Sequence, residues 1–112
     1  MDIQFLYYED CPSHDEALER LRDVMSEEGI EADIEIIKVE TEQQAQELKF
    51  IGSPTILVDG QDIVTAPPDS QYYLSCRVYQ LEDGRFSPLP SREMIREGIL
   101  CGLQRESSNN KT

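Results

Sequence analysis

The chain has 112 residues, 38% of them hydrophobic, and a mean hydropathy of -0.51, which fits one soluble domain whose core needs no metal or disulfide scaffold. A surplus of 23 acidic over 10 basic residues leaves a formal charge of -13, a field that repels phosphate backbones and argues against nucleic-acid binding. No run approaches the roughly 18 apolar residues of a membrane helix, and 3 widely spaced cysteines do not make a disulfide-built fold.

The N-terminal run Met1-Asp2-Ile3-Gln4-Phe5-Leu6 has no basic lead and enters a structured pattern at once, so it does not read as a signal peptide and a cytoplasmic location is expected. Ile3, Phe5 and Tyr7 alternate with Gln4, Leu6 and Tyr8, a dense β-branched and aromatic run that predicts a strand over 3–8 with both faces largely covered. Glu9-Asp10-Cys11-Pro12-Ser13 breaks it. Ser13 with Glu16 fits a capping box and Pro12 suits the first turn of a helix. Ala17, Leu18, Leu21, Val24 and Met25 then lay one apolar stripe along a helix of about 13–28, stopped by Gly29.

Residues 34–39 form a second strand, with Ile34, Ile36, Ile37 and Val39 too apolar for a fully wet sheet. Two strands joined by a crossing helix predict a parallel, right-handed βαβ unit. Thr41 and Gln44 offer another capping box for a short helix over 42–49, whose inner face is Ala45 and Leu48. A third strand opens at Pro54, which has no amide to donate and restricts Ser53 to extended backbone. Thr55 and Leu57 share one of its faces, Ile56 and Val58 the other, and Asp59-Gly60 turns the chain.

Residues 61–73, with Ala66-Pro67-Pro68-Asp69, are longer than a hairpin requires and suit a lid or association surface. Leu74 to Tyr79 alternate as a fourth strand, and Asp83-Gly84 turns ahead of Pro88-Leu89-Pro90. Ser91 caps a last helix over about 92–103 with Met94, Ile95, Ile99 and Leu103 inward, while Gly98 permits close packing at a propensity cost of up to about 1 kcal/mol. Residues 107–112 lack core-forming periodicity and read as a disordered tail behind a domain of 1–106. The order β-α-β-α-β-β-α predicts an α/β fold: a four-stranded mixed sheet with helices on both faces.

Cys11, placed after the first strand at the start of the first helix, together with Gly52-Ser53-Pro54-Thr55-Ile56 and Asp59-Gly60, resembles the thioredoxin fold over roughly residues 2–103. More narrowly, Cys11-Pro12, the run from Gly52 to Gly60, and Cys76-Arg77-Val78-Tyr79 resemble a group of small bacterial thioredoxin-like proteins. The departure is Cys11-Pro12-Ser13-His14, where His14 stands in place of the second cysteine of a dithiol motif, so no local resolving thiol exists. The resemblance implies that Cys11 is the attacking sulfur and that Pro54 abuts it. Pro12, Ser53, Thr55 and Arg77 would border the groove, where an extended partner pairs with the Ser53 end.

Helix amides near Cys11 favour a thiolate, and His14 can either attract the sulfur or accept its proton, unless it is an ordinary exposed helix residue. Glu9, Asp10, Asp15 and Glu16 oppose the thiolate. Cys76 shares the Leu74 and Val78 face and reads first as a buried cysteine. It becomes a remote resolving thiol if its Cα comes within about 7 Å of that of Cys11. Arg77, on the opposite face, meets part of the acid surplus or holds an anionic ligand such as a glutathione carboxylate. Cys101 reads as a core filler. Cys11 and His14 alone do not close a zinc or copper site, and neither metal nor cofactor is expected.

The leading functional expectation is a monothiol oxidoreductase exchanging disulfides through Cys11 with a protein or low-molecular-weight thiol. A non-catalytic binding or adaptor module is the alternative, its acidic surface selecting a basic or metal-bearing partner and its middle loop supporting a homodimer. Metal or organometal thiol chemistry ranks behind both. Nucleic-acid and membrane partners are not expected.

Overall fold

The computed structural model describes residues 2–11, 14–64 and 71–109. Its elements in chain order are β1 (Ile3–Tyr7), α1 (His14–Glu27), β2 (Ile34–Lys38), α2 (Glu42–Leu48), β3 (Thr55–Val58), β4 (Gln61–Asp62), β5 (Tyr79–Gln80), β6 (Phe86–Ser87) and α3 (Arg92–Asn109). The first four strands form one mixed sheet in the order β2-β1-β3-β4, and β5 and β6 pair separately. β1 runs parallel to β2, with Ile3 opposite Ile34 and Tyr7 opposite Lys38, and antiparallel to β3, with Leu6 opposite Thr55.

Because side chains alternate along a strand, the sheet sends two apolar sets in opposite directions. Ile3, Phe5, Ile56 and Val58 pack beneath Ala17, Leu21, Val24 and Met25 of α1 and Ile95 and Ile99 of α3. Leu6 on the other face meets Val39, Ala45 and Phe50 around α2. Helices therefore cover both faces, and each fully buried aliphatic side chain contributes about 1.5–3 kcal/mol. Polar contacts join α1 to the start of α3: Arg20 Nη1 donates to Pro90 O at 2.9 Å, Arg96 Nε to Glu28 at 2.7 Å, and Arg92 pairs with Glu27.

Thr41 caps α2 by accepting from the Gln44 amide at 3.0 Å, while the Gln44 side chain reaches back one residue further than a capping box requires, to the Glu40 amide at 2.9 Å. At the other end Lys49 is left-handed (φ 55), and the Phe50 amide donates to Ala45 O at 2.8 Å. This closure folds Phe50 back into the core.

The expected fourth strand at 74–79 is not in the main sheet. Asp59 and Gly60 both take positive φ, 52° and 82°, a two-residue turn whose twist suits a tight hairpin. β4 consequently follows β3 directly, with Val58 opposite Gln61 and Leu57 opposite Asp62. Tyr79 and Gln80 instead pair with Ser87 and Phe86 across the Asp83-Gly84 turn. The last helix continues through Asn109, so 107–109, expected in a disordered tail, are helical, and 110–112 lie outside the described residues. Its buried face is Ile95, Gly98, Ile99 and Gly102, whereas Met94 is half-buried and Leu103, expected inward, is exposed.

Candidate functional site

The sheet order brings two distant loops to the same end of the sheet, where β1 finishes and β3 begins. After β1 the chain turns tightly, the Cys11 amide donating to Tyr8 O at 3.0 Å, and Cys11 is left only 2% exposed. On the β3 side a cis peptide bond joins Ser53 to Pro54, and both residues are buried. Gly52 precedes them with φ 140, and a Cβ built on it would lie 2.8–2.9 Å from the Arg77 N, Cα and Cβ. Only a glycine allows the two backbones to approach this closely.

That approach is made by a short parallel bridge. The Ser53 amide donates to Ser75 O at 2.8 Å, and the Arg77 amide donates to Ser53 O at 2.9 Å, which sets Cys76 opposite Ser53. Cys76 and Cys11 are joined by a disulfide, with a Cα–Cα distance of 5.8 Å across 65 residues of sequence. The separation lies well within the range a disulfide spans. The structure thus gathers Cys11, Ser53, Pro54 and Cys76 into one constellation.

The segment carrying Cys76 is tied down on both sides. Arg77 turns inward, its Nη1 2.7 Å from Asp62 Oδ2 and its Nη2 3.0 Å from Val64 O, with the guanidinium 4.5 Å over the Tyr79 ring. The Tyr79 hydroxyl donates to Pro54 O at 2.5 Å. Burial raises the Tyr79 phenol pKa well above the ordinary value, with the Asp62 charge adding to the rise and Arg77 opposing it. Upstream, Gln46 Nε2 donates to Tyr72 O at 2.6 Å and the Leu74 amide to Glu42 at 3.2 Å.

The first reading of Cys76, the reading of Cys101 and one of the two given for Arg77 are overturned here. Cys76 is not a buried cysteine but an exposed one in a disulfide, while Arg77 and Tyr79 take the inward positions. The alternation is displaced by one residue because this segment answers to Ser53 rather than to a neighbouring strand of the sheet. Arg77 is accordingly engaged by a carboxylate of its own chain rather than presented to an anionic ligand. Cys101 is a free, exposed cysteine off the buried face of α3, and not a core filler.

His14 stacks on Tyr7 at 4.6 Å between ring centroids and lies 3.2 Å from Asp15, so neither of these contacts is with a sulfur. Pro12, Ser13 and the Ala66-Pro67-Pro68 run lie outside the described residues. Thr55 Oγ1 donates back to Gly52 O at 2.5 Å, a local tie inside the turn. Ser53 Oγ is buried without a hydrogen-bond partner among the described residues, directly beside the bridge to Cys76.

Two of the acids expected to oppose a thiolate have partners of their own. Lys38 Nζ lies 2.8 Å from Glu9, and the Tyr8 hydroxyl donates to Asp10 at 2.8 Å. Hydrogen bonding and charge from those two carboxylates raise the Lys38 and Tyr8 pKa values respectively. Sequence reasoning missed Asp62 and Tyr79 as supports of the site; Asp62 had one signal, an acid two residues after an Asp-Gly turn. Among the described residues, no group of three or more His, Cys, Asp or Glu side chains is gathered as metal ligands would be. No protein-family model matches this chain, and neither a curated protein nor a solved structure matches it.

Proposed function

We propose that this chain is a thiol–disulfide oxidoreductase of thioredoxin-like arrangement, with Cys11 and Cys76 as its redox couple. The observation that carries the reading is the disulfide between these two residues at the end of the sheet, one of them exposed, beside Ser53-Pro54. The strand order β2-β1-β3-β4 and the helices on both faces support the thioredoxin-like part. The missing second cysteine of the Cys11-Pro12-Ser13-His14 run is then supplied from 65 residues downstream, and the cycle needs no external resolving thiol.

In the forward direction two partner thiols lose two electrons and two protons, becoming a disulfide, and the Cys11–Cys76 bond opens to two thiols. The reverse direction oxidises the chain's own pair. The partners are protein or low-molecular-weight thiols, and the proposed compartment is the cytoplasm, where a disulfide is ordinarily transient and catalytic or redox-sensing. No helix among the described residues is long and apolar enough to cross a membrane.

The ties on the Cys76 segment favour one second reading, a disulfide that only staples a binding module together. Equilibration in glutathione and dithiothreitol buffers, followed by alkylation and mass measurement, separates the two. A catalytic couple titrates between about -120 and -270 mV, whereas a staple stays oxidised below about -300 mV. The second outcome would end the oxidoreductase proposal.

A further inference from the structure

The two sulfurs of the disulfide sit in opposite surroundings. Cys11 is 2% exposed, held in a tight turn beneath the chain, whereas Cys76 is an exposed residue. Displacement at a disulfide sulfur proceeds in line, so a thiolate attacking Cys11 must approach from the side away from Cys76. For a residue buried to this degree, that side is protein. An approach to Cys76 starts from solvent.

The backbone closes the other route. An extended partner reaching Cys11 by strand addition needs the Ser53 amide and carbonyl, and both are already taken by Ser75 O and the Arg77 amide. The occupying segment is held by Asp62 and Val64 through Arg77, by Pro54 through Tyr79, and by Gln46 and Glu42 on its upstream side. Displacing it means breaking a largely buried ion pair and two backbone hydrogen bonds before any chemistry begins.

We propose that Cys76 is the sulfur at which partners attack and are attacked, and that Cys11 is the buried leaving and resolving thiol. This reverses the roles that the position of Cys11 before α1 suggests, and it rests on the oxidoreductase reading above. An incoming thiolate bonds to Cys76 Sγ, the Cys11–Cys76 bond breaks, and Cys11 leaves with the electron pair and takes a proton from solvent. A second thiolate then attacks the partner sulfur of the mixed disulfide, releasing the partner disulfide and the Cys76 thiolate. In the oxidising direction Cys76 attacks a partner disulfide, and Cys11 resolves the adduct.

The test uses the full chain with Cys101→Ser, which leaves the couple as the sole pair of cysteines. Cys11→Ser and Cys76→Ser are made in that background and mixed with glutathione disulfide, and adducts are followed by mass. The chain retaining Cys76 is expected to form its adduct at least about tenfold faster than the chain retaining Cys11. Equal rates, or a faster Cys11, overturn the assignment.

Since Cys76→Ser can loosen the segment that covers Cys11, a second measurement uses the intact disulfide. It is treated with reduced glutathione, quenched with acid, and the adduct mapped to its peptide. Glutathione on Cys76 supports the proposal, and glutathione on Cys11 overturns it while leaving the redox couple intact. No adduct on either residue, with the disulfide also unmoved in glutathione buffers, removes the couple itself and the proposal with it.

Discussion

Tyr79 ties the Cys76 segment to the turn before β3, because its hydroxyl is bonded to Pro54 O while its ring lies under the Arg77 guanidinium. A buried phenol can be an anion only at high cost, and burial accordingly holds its pKa above the ordinary tyrosine value of 10.0. The consequence for stability has a definite sign. Above pH 10.0 the unfolded chain has released this proton and the folded chain has kept it, so the folded state binds more protons and stability falls as pH rises. Below that pH both states are protonated and the term vanishes. One proton corresponds to a slope of up to about 1.4 kcal/mol per pH unit. Urea unfolding followed from about pH 9 to pH 11.5 should show this decline, and Tyr79→Phe should lose the part due to this residue. The variant also loses the bond to Pro54, a cost of about 1 kcal/mol that is independent of pH up to 10.0. An alkaline slope identical in the two proteins would refute the account.

Among the elements, α3 and the hairpin after β3 meet at a glycine. A Cβ added at Gly98 would lie 3.0 Å from the Ile63 Cα and closer still to its side chain. Gly98→Ala gains about 1 kcal/mol of helix propensity but forces overpacking worth about 1–3 kcal/mol. Overpacking is expected to win, lowering the urea midpoint, and Ile63→Ala in the same chain should relieve only part of the penalty, because the Ile63 Cβ that the added methyl meets is kept. A Gly98→Ala protein more stable than its parent would sink this. The need for space at Gly98 was readable in the sequence; that Ile63 fills it was not. The same division holds along the chain. Local periodicity placed β1, α1, β2, α2 and β3 within one or two residues, because those elements bury faces that their own spacing defines. It failed at Gln61–Asp62, where a turn with two positive φ angles sent the chain into β4 at once, and again from Leu74 to Tyr79. The orientation of Cys76 was set instead by hydrogen bonds to Ser53, 23 residues earlier. Alternation reads neighbours within a strand and carries no information about such a bridge. The Cys11–Cys76 pairing was therefore legible only as a distance condition, while Cys11, Ser53 and Pro54 stood out through the rigid Ser-Pro join, the place of Cys11 at a helix start and the thioredoxin resemblance.

At the scale of the whole molecule, the charge surplus bears on the proposed exchange by setting how strongly an incoming thiolate is repelled. The surplus of acids over bases, 23 against 10, puts a negative field over most approaches to an exposed sulfur. Ion pairs such as Lys38 with Glu9, Arg92 with Glu27 and Arg96 with Glu28 neutralise patches without changing the formal total of -13. The species that attacks a disulfide is the thiolate, so the charge that counts is that of the deprotonated thiol. In the proposed exchange at Cys76 a dianionic thiolate is repelled more than a monoanionic one, and a zwitterion of no net charge least. Raising the ionic strength from about 0.01 M to 1 M shortens the screening length from about 30 Å to about 3 Å and should erase these differences. The rate of disulfide reduction by cysteamine, zwitterionic as its thiolate, is therefore expected to stay nearly flat with salt. The rate with 2-mercaptoethanol, monoanionic as its thiolate, is expected to rise, and that with glutathione, dianionic as its thiolate, to rise most. A response graded with thiolate charge cannot come from a change in the intrinsic reactivity of the disulfide, which would move all three rates together. If cysteamine and glutathione respond to salt equally, the net field does not govern access to the couple, and a partner for this surface need not be basic.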